Sequence, residues 1–219
     1  MRTLTERIEL FKSSDLYPVV SSEFCLGRDV CSIVAAIAAA GAKLVQIREK
    51  ALSDAAMFAL VQKCKSITDR YGMLLIVDDR LDIAMAAGAD GVHLGQEDFP
   101  LSAAKKVAPD MLFGISTHNA GEIRQALAGN CGYLNIGPVF PTNTKSVACG
   151  ALGLETIEEL AKKVTCHFSV MGGIKEHHLE LLTSKGFKHI AMVTEITQAP
   201  DVEAKVRQLR NLMKGVDHE

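Results

Sequence analysis

The loop from Gly137 to Lys145 carries the side chains with the clearest chemical use in the chain. The apolar run Tyr133 to Ile136 precedes it, and Pro138 and Pro141 oppose both helix formation and strand pairing. The loop then ends in two hydroxyls, an amide and an ammonium, on Thr142, Thr144, Asn143 and Lys145. This set suits a phosphorylated ligand, since phosphate oxygens accept hydrogen bonds and attract positive charge. A solvated turn that ends in lysine is the alternative, and the loop alone does not decide between them.

Two acidic residues, Asp79 and Asp98, follow consecutive predicted strands. Mg²⁺ prefers one or two carboxylates together with water and phosphate oxygens, so the pair could share one ion. Each residue alone could equally cap the turn or helix that follows it. Because Arg48, Lys50 and Lys145 are expected nearby, the sequence favours a magnesium site. No cluster of thiols and histidines has the spacing of a zinc site.

Other predicted strands also end in residues that could bind a phosphorylated ligand. Arg48 and Lys50 could neutralise a pyrophosphate, although Lys50 could instead form a surface ion pair with Glu49. Ser116 could hold an amide, a ring nitrogen or a phosphate oxygen, or could simply be a turn residue. His118 is interpreted as a helix cap or pocket wall.

Two pairs near the C-terminus, Gly172-Gly173 and Val193-Thr194, predict a second anion site. Backbone N–H groups after strands seven and eight commonly bind phosphate in barrels, and only permissive residues then appear in the sequence. His93 lies inside a predicted strand and is interpreted as a packed core histidine.

A repeated pattern indicates the scaffold that brings these strand ends together. Four glycines, Gly41, Gly88, Gly132 and Gly186, are each interpreted as ending a helix before a buried strand. The apolar runs of the chain predict strands at 16–20, 43–47, 73–77, 91–94, 112–115, 133–136, 168–171 and 189–192, and the glycine pattern opens the second, fourth, sixth and eighth of them. The sequence predicts helices at 1–15, 30–40, 55–70, 81–87, 101–107, 120–128, 154–163 and 202–213, and a further helix that begins at Lys175.

Eight alternating units predict an α/β fold, a single (β/α)8 TIM barrel domain over residues 1–219 with a short N-terminal helix. Active sites of such barrels lie at the C-terminal ends of the strands, where the candidate residues are expected. A doubly wound open sheet is the alternative, but its phosphate-binding glycine fingerprint is missing after the first strand.

Composition excludes several classes of function. The chain has 219 residues, 48% apolar and 5% aromatic, which is typical of parallel α/β folds with strands buried on both faces. The formal charge of −2 and the lack of a basic run argue against nucleic acid. No apolar stretch has membrane-spanning length, and the N-terminus lacks the apolar core of a signal peptide. Six cysteines without regular spacing favour a cytoplasmic location.

Six motifs together resemble the thiamine phosphate synthase family, over residues 16–196 of the chain. The motifs are Gln46-x-Arg48-Glu49-Lys50, Asp79-Arg80-x-Asp82, Gly91-Val92-His93-Leu94-Gly95-Gln96-x-Asp98, Ser116-Thr117-His118, Gly137-Pro138-Val139-Phe140-Pro141-Thr142-x-Thr144-Lys145 and Gly172-Gly173-Ile174. The family joins an aminopyrimidine methyl diphosphate to a thiazole phosphate, which releases pyrophosphate and forms thiamine phosphate. The resemblance thus implies a transferase with Mg²⁺ as cofactor and these two small molecules as partners, and it leaves a homo-oligomer open.

The resemblance also implies a role for each matching residue. The pyrimidine diphosphate would be held by Gln46, Ile47, Arg48, Glu49, Lys50, Asp78, Ser116 and Lys145. Magnesium would be held by Asp79 and Asp98, and the thiazole phosphate by Thr142, Asn143, Thr144, Gly172 or Gly173, Val193 and Thr194. The family is thought to lose pyrophosphate first and to form a pyrimidine cation that the thiazole nitrogen captures. The candidate catalytic residues are therefore Lys145, Arg48 and Ser116, since cations stabilise the leaving group and no base is required.

One departure and two alternatives accompany this resemblance. The position before Asp79 is usually Asn in the family and is Asp78 here. This extra carboxylate would repel a diphosphate unless it coordinates magnesium, pairs with Arg80 or another cation, or stays protonated.

The alternative functions are those of a paralogous thiazole tautomerase and of a non-catalytic phosphate-binding barrel. Retention of Asp98 and Lys145 favours the synthase over both.

Overall fold

Eight parallel strands close into a barrel in chain order in the computed structural model, which describes residues 2–142, 144 and 150–215. The strands β1 to β8 are Leu16–Val20, Leu44–Ile47, Leu74–Asp78, Gly91–Leu94, Leu112–Thr117, Tyr133–Ile136, His167–Val170 and Ile190–Met192. Closure comes from β1, which pairs with β2 on one side and with β8 on the other. The structure therefore confirms the predicted (β/α)8 barrel and excludes the open sheet.

Helices alternate with the strands, and several begin at side-chain caps. The helices α1 to α10 are Leu4–Lys12, Val30–Ala39, Asp54–Arg70, Leu81–Ala86, Leu101–Val107, Ala120–Ala128, Leu154–Ala161, Leu179–Ser184, Thr194–Thr197 and Val202–Lys214. Asp29 and Asp201 each accept a hydrogen bond from a backbone N–H of the first turn of α2 or α10. Such caps satisfy amides that have no partner within the helix. None of the described helices is long and apolar enough to cross a membrane.

The barrel interior has an apolar lower part and a polar upper part. Strand side chains alternate between the two faces, so residues two apart point the same way. Leu44 and Gln46 on β2, and Tyr133 and Asn135 on β6, show the change from a core residue to a buried polar residue toward the C-terminal end. Alternation along the strands thus places polar side chains together at the mouth of the barrel.

The N-terminal helix α1 packs on the interior cluster at the other end. Phe11 stacks on Tyr133 with ring centroids 4.2 Å apart and meets Tyr17 edge-on at 6.2 Å. Buried Asp90 binds Arg2 at 2.9 Å and Lys65 at 3.3 Å, which links the segment before α1, and α3, to the residue that precedes β4. The predicted N-terminal helix therefore belongs to the core of the barrel.

Replacing Phe11 by Ala is expected to lower the free energy of unfolding by about 3–5 kcal/mol, the usual cost of deleting a buried aromatic ring. Phe11 is 1% exposed, whereas Phe99 is 47% exposed and makes a matched control. Urea unfolding of Phe11→Ala and Phe99→Ala measures both changes. Equal losses in the two variants would contradict the packing role of α1.

One glycine of the repeat differs from its predicted role. Gly41, Gly88 and Gly186 have φ angles of +82°, +69° and +84°, as expected for residues that end helices. After α6 the left-handed residue is Asn130, with φ +54°, so the prediction for Gly132 is wrong. A Cβ on Gly132 would lie 2.5 Å from Leu112 Cδ1. Gly132 is therefore needed for the close approach of β6 to β5.

Candidate active site

Two strands extend further toward the site than the sequence predicted. β3 includes Asp78, and β5 includes Ser116 and Thr117. Ser116 and Asp78 are 4% and 9% exposed, and both border a recess at the mouth of the barrel. Ser116 is therefore an inward-facing strand residue, and its interpretation as a turn residue is wrong.

A cluster of polar and charged side chains joins the ends of β2 and β3. Asp78 Oδ1 accepts a hydrogen bond from Gln46 Nε2 at 2.9 Å. Asp78 Oδ2 lies 3.4 Å from Arg48 Nε and 3.3 Å from Lys50 Nζ, and Lys50 also pairs with Asp79. The unusual carboxylate is therefore neutralised by two cations of its own site, which is one of the compensations expected from the sequence.

Arg80 does not provide that compensation. Its guanidinium binds Asp54 at 2.5 Å and Asp82 at 2.6 Å, on the side of α3 and α4. Among the residues the structure describes, it has no contact with Asp78. The alternative in which Arg80 pairs with Asp78 is therefore wrong.

Asp79 and Asp98 follow the adjacent strands β3 and β4. The backbone of Asp79 is left-handed, with φ +59°, and its N–H donates to the carbonyl of His93 at 2.8 Å. Asp98 Oδ2 accepts from the N–H of Gly95 at 2.6 Å, so this carboxylate does close the turn after β4. Each aspartate retains oxygen lone pairs for another partner, because a carboxylate has about four acceptor positions.

The donor set at Asp79 and Asp98 fits a hard cation. Lys50 already places a positive charge on Asp79, which shows that this carboxylate is positioned to bind a cation. Within the described ranges, no group of three or more His, Cys, Asp and Glu side chains is arranged to hold a metal ion. Magnesium is commonly bound through one or two carboxylates, several waters and phosphate oxygens of a substrate, so the chemistry of these two side chains is compatible with it.

Two of the residues assigned to the pyrimidine diphosphate have side chains that are engaged elsewhere. Ile47 is 0% exposed and packs in the layer between strands and helices. Both carboxylate oxygens of Glu49 accept hydrogen bonds from Ser22, one from its N–H and one from its hydroxyl, each at 2.7 Å. In this region the side chains of Gln46, Arg48 and Lys50 remain for a ligand.

A pocket with a volume of about 470 Å³ lies at the C-terminal ends of the strands. Most of its lining comes from β5 to β8 and the loops after them, and Val19 of β1 and Phe24 complete it. A smaller recess of about 50 Å³ contains Gln46, Arg48 and Asp78. Pocket and recess share the residues Val19, Phe24, Ser116, Thr144, Met171 and Val193. The charged cluster and the main pocket therefore border adjacent cavities that share these side chains.

The far side of the pocket is formed by Gly172 and Gly173, which have φ angles of +98° and +64°. A Cβ on Gly172 would overlap Pro138, and one on Gly173 would overlap the carbonyl of Pro141. The N–H of Phe140 donates to the carbonyl of Gly172 at 3.0 Å. Only glycines therefore allow the loops after β6 and β7 to lie side by side along the pocket.

Hydroxyls and one lysine complete this side. Thr142 Oγ1 and Thr144 Oγ1 are 3.0 Å apart, and both residues line the pocket. Lys175 Nζ donates to Thr194 Oγ1 at 3.0 Å and lies 3.5 Å from Glu195. The structure thus brings together, in the lining of one pocket, Thr142, Thr144, Gly172, Gly173, Val193 and Thr194. The predicted residues Asn143 and Lys145 lie outside the described residues.

The sequence interpretation missed Lys175 and Asn135. Asn135 is 1% exposed and borders the pocket; its Oδ1 accepts from Ser169 Oγ at 3.1 Å. Its Nδ2 has no hydrogen-bond partner among the described residues. A buried amide without a partner is costly, so this N–H group is available to a ligand or water in the pocket. The clue in the sequence was a lone polar residue in the apolar strand from Tyr133 to Ile136.

The two candidate histidines have different surroundings. His118 Nδ1 lies 2.9 Å from Glu122 Oε2 and its ring lines the pocket, which confirms the interpretation as a wall. Asn119, and not His118, caps α6. His93 is buried as predicted, but its ring hydrogen-bonds to Ser116 at 2.8 Å and to Tyr133 at 3.2 Å. It is therefore more than a packing residue.

Comparison with known proteins agrees with this geometry. Residues 16–196 match the family model described as thiamine monophosphate synthase. The thiamine-phosphate synthase of Pelotomaculum thermopropionicum is 39% identical over 201 residues, which cover 91% of this chain and 92% of the relative. That of Dictyoglomus turgidum is 35% identical and covers 96% of this chain and 95% of the relative.

Solved structures give the same result. The thiamine phosphate pyrophosphorylase of Pyrococcus furiosus superposes with a TM-score of 0.86 at 29% identity, covering 97% of this chain and 99% of that one. A tryptophan synthase chain of Mycobacterium tuberculosis superposes with a TM-score of 0.71 at 10% identity, covering 96% of this chain and 97% of that one. The second similarity concerns the barrel fold alone.

Fold and pocket together define an α/β barrel whose C-terminal mouth combines a cation-rich cluster with a glycine-rich wall. Such mouths are the active sites of barrel enzymes. The chain belongs to the thiamine monophosphate synthase family and is a transferase.

Proposed function

We propose that the chain joins an aminopyrimidine methyl diphosphate to a thiazole phosphate, with release of pyrophosphate and formation of thiamine phosphate. The observation that carries this proposal is that the charged cluster and the glycine-rich wall border adjacent cavities with six lining residues in common. Two phosphorylated ligands can therefore lie in contact with each other inside the barrel mouth. The named relatives, all synthases of thiamine phosphate, support the same activity.

The diphosphate would bind at the ends of β2 and β3. Arg48 and Lys50 provide two positive charges there, and Gln46 offers an amide beside them. In the reaction, negative charge grows on the oxygen that leaves with pyrophosphate. Fixed cations next to that oxygen lower the barrier, because they stabilise the transition state more than the ground state.

Lys145 would add a further cation to the departing pyrophosphate. It follows Thr144, and Thr144 lines both the main pocket and the recess that contains Arg48 and Asp78. Lys145 itself lies outside the described residues, and its role rests on the family motif. Asn143 would bind the other phosphate on the same argument.

Magnesium would be held by Asp79 and Asp98, whose carboxylates suit a hard cation. When bound, the ion supplies positive charge that balances the diphosphate oxygens. Lys50, which contacts both Asp78 and Asp79, would then pair with Asp78 and the diphosphate while Asp79 holds the ion. This exchange of partners keeps the cluster near neutrality with and without ligand.

The thiazole phosphate would bind at the glycine-rich wall. Thr142, Thr144 and Thr194 offer hydroxyls there, and Lys175 lies 3.0 Å from the last of these. The ring would lie over the apolar lining formed by Met171 and Ala191. A group that removes a proton is not needed, since the thiazole nitrogen already carries a lone pair.

We also infer a cytoplasmic location. The five described cysteines, Cys25, Cys31, Cys64, Cys131 and Cys166, are all free thiols. Thiols that remain reduced are typical of a reducing compartment.

A coupled assay with both substrates and magnesium tests the proposed activity. Thiamine phosphate and pyrophosphate are expected in equal amounts, with no product when either substrate is omitted. A thiazole substrate that isomerises without the pyrimidine would instead identify a tautomerase. Binding of both ligands without turnover would identify a non-catalytic barrel, and either result would contradict the proposal.

A further inference from the structure

A line of hydrogen bonds runs from the pocket through the interior of the barrel. Ser116 Oγ lies 2.8 Å from His93 Nε2, and His93 Nδ1 lies 3.2 Å from the hydroxyl of Tyr133. The hydroxyls of Tyr133 and Tyr17 are 2.7 Å apart. All four residues are buried, and both tyrosines are 0% exposed. We call these four residues the Ser116–Tyr17 relay.

The relay is held rigidly by its neighbours. The ring of Tyr133 stacks on Phe11 at 4.2 Å and passes over Gly114 of β5, where a Cβ would overlap it. The ring of His93 lies 5.7 Å from that of Tyr133. Glycine at 114 is therefore required for Tyr133 to reach His93. The positions of the rings fix which atoms of the relay are hydrogen-bonded to each other.

Both tyrosines keep their protons. Burial, reinforced by the neighbouring hydroxyl and by Asp78, raises the pKa of Tyr17 well above its ordinary value. Burial likewise raises the pKa of Tyr133 far above the neutral range. Each hydroxyl thus has one proton to donate. Within the part of the chain that the structure describes, their only hydrogen-bond partners are each other and His93.

The number of these protons determines which group donates in each hydrogen bond of the relay. If His93 carried a proton on Nδ1, the oxygen of Tyr133 would accept it. Two tyrosine protons would then remain for the single contact between the two hydroxyls, and one would have no acceptor. A buried donor without an acceptor costs more than an ordinary hydrogen bond gains. This holds for the neutral Nδ1–H ring and for the doubly protonated ring alike.

Only one arrangement leaves no proton without an acceptor. In it Tyr17 donates to Tyr133, Tyr133 donates to Nδ1 of His93, and the N–H at Nε2 donates to Ser116 Oγ. The hydroxyl proton of Ser116 is then free to point into the pocket, which Ser116 lines.

We propose that His93 is a positioning residue, set by Tyr133 and Tyr17, that makes the hydroxyl of Ser116 a hydrogen-bond donor toward the bound ligand. The ligand atom beside Ser116 is therefore an acceptor, such as a phosphate oxygen or a ring nitrogen lone pair. A ligand group that only donates, such as an amide N–H, would leave the hydroxyl proton of Ser116 without an acceptor on the ligand. Only the identity of that ligand rests on the proposed function.

The position of the proton on His93 can be measured directly. Protein labelled with ¹⁵N in histidine, without substrates, gives long-range ¹H–¹⁵N NMR correlations for each ring, and the His93→Gln variant identifies the His93 signals. We expect the proton on Nε2 and an accepting Nδ1. A proton on Nδ1 would overturn the proposal. This measurement needs no turnover, so its outcome is independent of whether the proposed activity is correct.

A matched pair of tyrosine variants tests the direction of control. Tyr133→Phe removes the donor to Nδ1, whereas Tyr17→Phe removes a hydroxyl from the same interior and leaves that donor in place. We expect mixed tautomers of His93 in Tyr133→Phe alone, together with a fall in kcat/KM of about tenfold, the value of one hydrogen bond. The fall in Tyr17→Phe should be smaller.

Equal tautomer populations and equal losses in the two variants would show that the tyrosines act only on packing. Thermal melting of both proteins identifies any loss that comes from a destabilised fold. If the tautomer shifts in Tyr133→Phe as expected but the coupled assay shows no thiamine phosphate, the relay stands and the proposed function fails.

Discussion

Replacing Asp79 by Asn is expected to lower turnover at saturating substrates by two or more decades. The variant removes one of two candidate magnesium ligands, and losing a group that stabilises transition-state charge commonly has an effect of this size. Asn is the better replacement because the backbone here is left-handed, with φ +59°. Asn tolerates that conformation, whereas Ala would add backbone strain.

The neighbouring Asp82→Asn variant is a matched control. Asp82 lies in α4 and pairs with Arg80 at 2.6 Å, away from the charged cluster. Its turnover and magnesium requirement should stay near those of the parent protein. Thiazole phosphate should bind to Asp79→Asn with nearly unchanged Kd by calorimetry, because that ligand is assigned to the opposite wall. Full activity of the parent protein in excess chelator would refute the metal site.

Much of the barrel could be predicted because strand burial and helix-ending glycines repeat along the chain. Parallel strands in a barrel are covered on their outer face by helices, so they appear as short apolar runs such as 74–77. The same rule explains two boundary errors. Asp78 and Ser116 are polar, so the sequence placed them beyond their strands, yet both point inward at the mouth, where polar residues are required.

The site was harder to predict, since a motif identifies residues but not their partners. The motif around Gln46 correctly grouped Arg48 and Lys50, yet only the structure shows that both meet Asp78. Asn135 and His93 were missed as site residues for the same reason. Each is a polar residue in an apolar strand, and its effect depends on a side chain from a neighbouring strand.

Replacing Arg48 by Met is expected to lower kcat/KM by two or more decades, more than the loss of one contact to the diphosphate would cause. Met keeps much of the apolar stem but removes the charge. Asp78 would then retain Lys50 and Gln46 as partners, with less positive charge beside the incoming diphosphate. Two bare charges about 4 Å apart repel by about 4 kcal/mol at an effective dielectric constant near 20, which is an upper limit for this effect.

The double variant Arg48→Met/Asp78→Asn separates the two contributions. If Asp78 repels the diphosphate once Arg48 is gone, the second substitution should restore about tenfold of the lost kcat/KM, since neighbouring charges are not additive. Asp78→Asn alone should leave the magnesium requirement unchanged, because in this structure Asp78 pairs with cations of the protein. Arg70→Met, on the exposed end of α3, is the control for loss of an arginine. If the losses of kcat/KM in the two single variants simply multiply in the double variant, Arg48 acts on the diphosphate alone. A raised magnesium requirement in Asp78→Asn would instead make Asp78 a third metal ligand.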